Sequence, residues 1–130
     1  MRIFNFTENV FHANVILLVG GKDEVNKYVY KKYKVVDWID NDMFDGQHGY
    51  LVHSDGFEYS VIWFDTFDWV INDMSKLVHE VSHLIDNIFE TRGVTEIDGE
   101  LRAYYMGWWS KAMFTVLAKE YNNRAKRKKK

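Results

Sequence analysis

The sequence contains neither cysteine nor proline. Without cysteine the chain forms no disulfide, offers no thiolate to a metal and has no cysteine nucleophile, so a metal site requires histidine and carboxylate ligands. No stretch approaches the roughly 18 consecutive apolar residues of a membrane-spanning helix. The first 21 residues carry Glu8, His12 and Asn14 where a secretory signal would be smoothly apolar. These absences predict a cytoplasmic protein with no membrane partner.

Apolar residues, by contrast, are abundant. They make up 47% of the 130 residues, and 22 residues are Phe, Trp or Tyr. A chain of this length can bury one sizeable core but is short for two domains. We therefore expect a single domain over residues 1–123, followed by a basic tail.

The tail, RAKRKKK at 124–130, contains six of the 17 basic residues and no acid. Removing it leaves 11 basic residues against 19 acidic ones, so the rest of the chain carries a net charge of −8. A terminal run of this kind is most often disordered and solvated. The alternative is weak binding to nucleic acid or another acidic partner through the tail, because the acidic body is unsuited to a nucleic-acid groove.

The order of the hydrophobic patterns predicts an α+β domain. Residues 11–19 are apolar and β-branched up to a Gly-Gly pair, as in a central strand buried on both faces. A short helix is expected over 24–33, with Asp23 as its N-cap. Strands at 50–53 and 57–64 are expected to form a hairpin that turns within the HSDG cluster, at the Ser-Asp-Gly step.

Two longer helices are predicted in the second half of the chain. Apolar residues recur at helical spacing over 70–88, and Arg92-Gly93 is a stop signal. Thr95 and the aspartate three residues later resemble a capping box that opens a helix over 98–121. That helix is apolar on nearly every side, so we expect it to be deeply buried.

The first of these helices contains HEVSH, in which His79 and His83 are four positions apart and Glu80 follows the first histidine. At about 100° per residue, the histidines project almost opposite to the apolar stripe. Side chains at this spacing lie about 5–6 Å apart, so both imidazoles can bind one zinc ion. Glu80 can then accept a proton from a water molecule at the metal, as in the helical HExxH of metalloproteases. The alternative is two solvated histidines on a polar helix face.

Catalytic zinc usually has three protein ligands. Glu100, in DGELRAYYMGWW, is the best third candidate, because Asp86 and Glu90 lie too far along the first helix. Asp86 could instead support a histidine ring. A tight helical hairpin would leave Glu100 about 15 Å from the histidine pair, at a rise of 1.5 Å per residue. We therefore expect residues 92–98 to form an extended segment that returns the chain toward the histidines.

HEVSH followed by GELRAYYMGWW resembles the zincin metallopeptidases, and among them the gluzincin branch, over roughly residues 57–110. The small size also resembles compact metallopeptidases of phages and prophages. The resemblance implies that His79, His83 and Glu100 bind Zn²⁺ and that Glu80 is the general base acting on a peptide or protein substrate. It also implies a minimal zincin-like fold, with a small mixed sheet, an N-terminal helix, the HExxH helix and a long buried C-terminal helix.

Two further roles are expected in a site of this family. A neutral donor would stabilise the negative charge that develops on the substrate carbonyl. Tyr104 is the candidate, with Tyr105, His48 and His53 as alternatives. The strand at 57–64 would lie along the cleft and pair with an extended peptide, unless it is an ordinary hairpin strand.

Three functions are compatible with these features. A zinc metallopeptidase is favoured. The second hypothesis is a zincin-like module that binds a peptide or protein and uses its metal only for structure. The third is a protein that acts on nucleic-acid-bound targets through the tail at 124–130.

Overall fold

The computed structural model describes residues 1–40, 46–52, 58–96 and 98–128, of which 46–52 are described through their backbone. The elements in chain order are strands β1 (Arg2–Glu8) and β2 (Ala13–Val19), helix α1 (Lys22–Tyr33), strands β3 (Gly46–Val52) and β4 (Glu58–Phe64), and helices α2 (Ile71–Thr91) and α3 (Gly99–Lys128). The predicted α+β class is confirmed. Within the described ranges, no helix combines the length and apolar character needed to cross a membrane.

The four strands form one mixed sheet in the order β1-β2-β4-β3. β2 and β4 are parallel, whereas the two outer pairs are antiparallel. β2 is a central strand, as its apolar run predicts, and Val15 to Val19 are all buried. β1 was not predicted, although Phe4, Phe6 and Glu8 alternate with exposed residues along it.

The predicted antiparallel pairing of β3 with β4 is confirmed, with Val52 opposite Glu58. The turn expected at the Ser-Asp-Gly step lies outside the described residues. β4 is an inner strand, bonded to β2 on one side and to β3 on the other. Because both of its backbone edges are occupied, the prediction that the strand at 57–64 pairs with a substrate is wrong. β3 forms this edge of the sheet instead.

The sheet separates two apolar cores. On one side α1 packs its buried face against alternate residues of β2 and β4, and on the other side α2 and α3 cover the remaining alternate residues. The N-cap of α1 is Gly21, whereas Asp23 lies in the first turn, where its charge interacts favourably with the helix dipole. The smaller core contains Ile16, Leu18, Val25, Val29, Tyr33, Ile39, Val61 and Trp63.

α2 ends at the predicted stop signal. Gly93 has a φ of +69°, the left-handed region that glycine adopts without strain. The Val94 N–H donates to the Phe89 carbonyl at 2.9 Å and the Gly93 N–H donates to the Glu90 carbonyl at 3.2 Å, which together form a Schellman cap. Residues 92–96 are not helical, and residue 97 of the predicted extended return segment lies outside the described residues.

The start of α3 corrects the predicted capping box. Asp98 is itself the N-cap, because its Oδ1 accepts the Leu101 N–H at 2.7 Å and its carbonyl accepts the Arg102 N–H at 3.2 Å. Thr95 lies outside the helix and is exposed. An aspartate carboxylate at the helix start also interacts favourably with the positive end of the helix dipole.

α3 is longer and less buried than the sequence predicts. Its 30 residues extend about 45 Å, well beyond the seven-residue strands that it covers. Only one stripe is buried, so the prediction of a deeply buried helix is wrong. Residues 124–128 are helical rather than disordered, because lysine, arginine and alanine favour helix and positive charge suits a helix C-terminus. Their weak binding to nucleic acid or another acidic partner stays a prediction. The buried stripe consists of Tyr105, Trp109, Met113 and Leu117.

Candidate metal site

Helix α2 places His79 and His83 on its solvent face, as the helical period predicts. Both histidines are exposed, whereas Leu77, Val81 and Leu84, on the other side of the helix, are completely buried in the core. The two imidazoles therefore stand clear of the core without any local distortion of the helix. They are accessible to a metal ion from solvent.

The two rings have the geometry of a shared ligand pair. The Nε2 atoms of His79 and His83 lie 3.2 Å apart, and the ring planes are nearly perpendicular at 86°. Two nitrogens bound tetrahedrally to one zinc ion at about 2.0–2.1 Å would lie roughly 3.3–3.4 Å apart. Without metal, the same contact is a hydrogen bond in which one ring donates its Nε2 proton to the other. Zinc requires both nitrogen lone pairs, so metal binding would replace this bond.

Glu80 is half-buried beside the pair. Burial raises the pKa of its carboxyl group above the usual range, while the charges of His79 and His83 act in the opposite direction and lower it. A carboxylate with a raised pKa accepts a proton more readily than a solvated one, which suits a general base. The position and electrostatics of Glu80 are therefore compatible with the role expected from HExxH.

The structure does not bring Glu100 to the histidines. The Arg102 guanidinium of α3 contacts α2, donating to Ser82 Oγ at 2.6 Å and to Asp86 Oδ1 at 3.2 Å. Glu100 lies two residues earlier, about 160° round the helix, and is exposed. The Arg102 side of α3 thus faces α2. In the part of the chain that the structure describes, no three His, Asp or Glu side chains are grouped to hold a metal.

The two tyrosines considered as oxyanion donors also lie elsewhere. Tyr104 is exposed and, like Glu100, about 160° round α3 from Arg102. It lines a cavity beside the β1–β2 turn. The Tyr105 hydroxyl donates to Glu8 Oε2 at 2.7 Å, so its proton is already used. The geometry therefore provides no support for either tyrosine as an oxyanion donor.

The other four residues considered for the site have the following positions. Asp86 accepts a hydrogen bond from the Arg102 guanidinium, so Asp86 is part of the contact between α2 and α3. Glu90 is exposed near the end of α2. His48 belongs to β3, whose backbone contacts α2, and His53 lies outside the described residues.

Sequence reasoning missed two features. The contact of Arg102 with Ser82 and Asp86 joins residues far apart in the chain, and no local pattern indicates it. Glu8 is a buried carboxylate, 5% exposed, at the end of β1. The sequence does contain a signal for the burial of Glu8, because Glu8 lies on the same face of the strand as the inward-facing phenylalanines.

Comparison with known proteins identifies no relative: no family model, curated protein or solved structure matches the chain. The side chains of α2 provide two imidazoles at ligand spacing and one half-buried carboxylate, all within five residues of one regular helix.

Proposed function

We propose that this protein is a zinc-dependent metallopeptidase in which His79 and His83 bind the metal and Glu80 is the general base. The 3.2 Å separation of the two Nε2 atoms on the exposed face of α2 carries the proposal. A zinc ion held there would act as a Lewis acid and lower the pKa of a water molecule toward about 7. The resemblance of HEVSH to the zincin motif supports hydrolysis of a peptide bond as the reaction.

The chain's own residues have separate parts in this reaction. Glu80 accepts the proton of the attacking water and transfers it to the leaving amine. The partial burial of Glu80 shields its carboxylate from bulk water. The contact of Arg102 with Ser82 and Asp86 fixes α3 against α2 on the turns that carry the histidines.

A third ligand is needed, because catalytic zinc usually has three from the protein. Glu100 is exposed on the side of α3 away from Arg102, which argues against it. β3, whose backbone contacts α2, contains His48. We propose this histidine as the first alternative to Glu100.

The substrate would lie along β3. This strand is last in the sheet order, and no described strand pairs with its outer edge. An extended peptide can add to such an edge by backbone hydrogen bonds. β3 also contacts α2, so a peptide bound there would run beside the helix that carries the histidines.

The substitution Glu80→Gln tests the reaction. It should leave zinc bound and lower hydrolysis by about 10²- to 10⁴-fold, because the general base is lost. The measurement is cleavage of a mixture of fluorogenic peptides by the zinc-loaded protein, repeated after chelation and after zinc is restored. Glu90→Gln changes an exposed glutamate of the same helix and should retain wild-type activity. Cleavage that survives in Glu80→Gln would contradict the proposed role.

A second candidate function is a zincin-like module that binds a peptide or protein without cleaving it. The grouping of only two metal-ligating side chains in the described ranges favours this candidate, because a metal held by two histidines could be structural. Peptide binding that survives chelation and Glu80→Gln, with no cleavage by the wild type, would distinguish the module from the enzyme.

A further inference from the structure

A cavity of about 400 Å³ lies between the β1–β2 turn and the first turns of α3. Residues 7–11 form one wall and four residues of α3 form the other. Its described lining includes no residue of α2, so it is distinct from the histidine site. A volume of this size accommodates a small ligand. The α3 residues are Leu101, Tyr104, Tyr105 and Trp108.

Aromatic rings dominate the walls of the cavity. Tyr105 stacks on Phe89 with ring centroids 5.4 Å apart, and Trp108 packs edge-on against the fully buried Trp109 at 4.9 Å. These contacts restrict the Tyr105 and Trp108 rings. Tyr104 and Trp108 nevertheless remain 77% and 47% exposed, so aromatic surface is available to a ligand. The aromatic lining residues are Phe11, Tyr104, Tyr105 and Trp108.

The cavity also contains a buried negative charge. Glu8 lines it, and its carboxylate accepts the backbone N–H groups of the turn and the Tyr105 hydroxyl, all of which are neutral donors. Arg92 reaches the same turn but donates to the carbonyls of Phe11 and His12. Over the described ranges, no lysine or arginine forms an ion pair with Glu8. The charge therefore has no direct cationic partner there.

We propose that this cavity binds a small quaternary ammonium compound. A cation over an aromatic face is attracted by the ring quadrupole, and aromatic cages of this kind recognise alkylated ammonium groups. The apolar surface of such a cation packs against Phe11 and Trp108, while its charge compensates Glu8. A neutral ligand of the same shape would bury the same area, but it would bring no positive charge to balance the negative charge of the Glu8 carboxylate. This proposal is independent of the zinc chemistry at α2.

The test compares two ligands of the same shape on the full chain, choline and its neutral isostere 3,3-dimethylbutan-1-ol. Isothermal titration calorimetry should show saturable choline binding, with the alcohol about five- to thirtyfold weaker, the factor expected for a cation–π contribution. Trp108→Ala should weaken choline binding by a similar factor. Tyr121→Ala is the matched control, because this residue of α3 is 46% exposed and does not line the cavity.

Glu8→Gln is a second variant, because it removes the charge and keeps one acceptor oxygen for the turn. It should weaken the binding of choline and leave the binding of the alcohol unchanged. If this variant fails to fold, the two ligands on the wild type and on folded Trp108→Ala still decide the question. The absence of saturable choline binding, equal binding of the alcohol, or an unchanged affinity in Trp108→Ala would each overturn the proposal.

Discussion

At the scale of single residues, local geometry sets the candidate metal site. His79 and His83 stand four positions apart on a regular helix, so the helical period alone brings their Nε2 atoms to 3.2 Å. This is why the pair could be predicted from the sequence. The hydrogen bond of Arg102 to Ser82 could not be predicted, because it depends on which side of α3 faces α2. The same dependence made the position of Glu100 unpredictable.

The bond between Tyr105 and Glu8 should make stability depend on pH. Burial raises the pKa of Tyr105 above that of a tyrosine in the unfolded chain. The stabilisation is therefore complete below about pH 10 and is lost as the pH rises further, because the unfolded chain ionises first. Tyr105→Phe should lower the free energy of unfolding by about 1.5–3 kcal/mol at neutral pH. Above about pH 10 this deficit should shrink by up to about 1.4 kcal/mol per pH unit.

Urea unfolding at neutral pH and at two alkaline values would measure this effect. Tyr104→Phe is the control, because it removes the hydroxyl of an exposed neighbouring ring, and it should follow the wild type throughout. A deficit in Tyr105→Phe that stays constant from neutral to alkaline pH would show that folding does not raise the pKa of Tyr105.

At the scale of the elements, boundaries with a local chemical signal were predicted best. The end of α2 follows from Gly93, and the pairing of β3 with β4 follows from the turn cluster between them. β1 was missed because its seven residues alternate without flanking turn signals. The burial of α3 was overestimated because exposed aromatic residues such as Trp108, which line a cavity, look like core residues in the sequence.

Two glycine substitutions test the boundary between α2 and α3. Gly93→Ala should lower the free energy of unfolding by about 1–2 kcal/mol, because alanine is strained at a φ of +69°. Gly107→Ala, inside α3, should raise it by about 0.5–1 kcal/mol, because alanine favours helix. An added Cβ at either position meets no atom within 4 Å, so steric clashes do not contribute to either change in the free energy of unfolding. A free energy of unfolding that is unchanged or raised in Gly93→Ala, measured by urea unfolding, would refute the assignment of Gly93 as the helix cap.

At the scale of the whole molecule, the sheet determines where the candidate chemistry lies. The parallel pairing of β2 with β4 joins residues 15 and 60, which no local pattern could indicate. It makes β4 an inner strand and leaves β3 at the edge beside α2. The core under α2 buries the apolar side of that helix and leaves His79 and His83 in solvent. The candidate zinc site therefore lies on the solvent face of α2.

Zinc binding by the histidine pair is the most direct test of this account. Zinc would be measured by elemental analysis after equilibration with zinc and dialysis, in the wild type, His79→Ala and His83→Ala. His12→Asn is the control, because it replaces an exposed histidine outside α2 and asparagine tolerates its φ of 53°. We expect about one zinc ion per chain in the wild type and the control, and its loss in both α2 variants. A wild type that binds no zinc, or α2 variants that bind it as well as the wild type, would contradict the account.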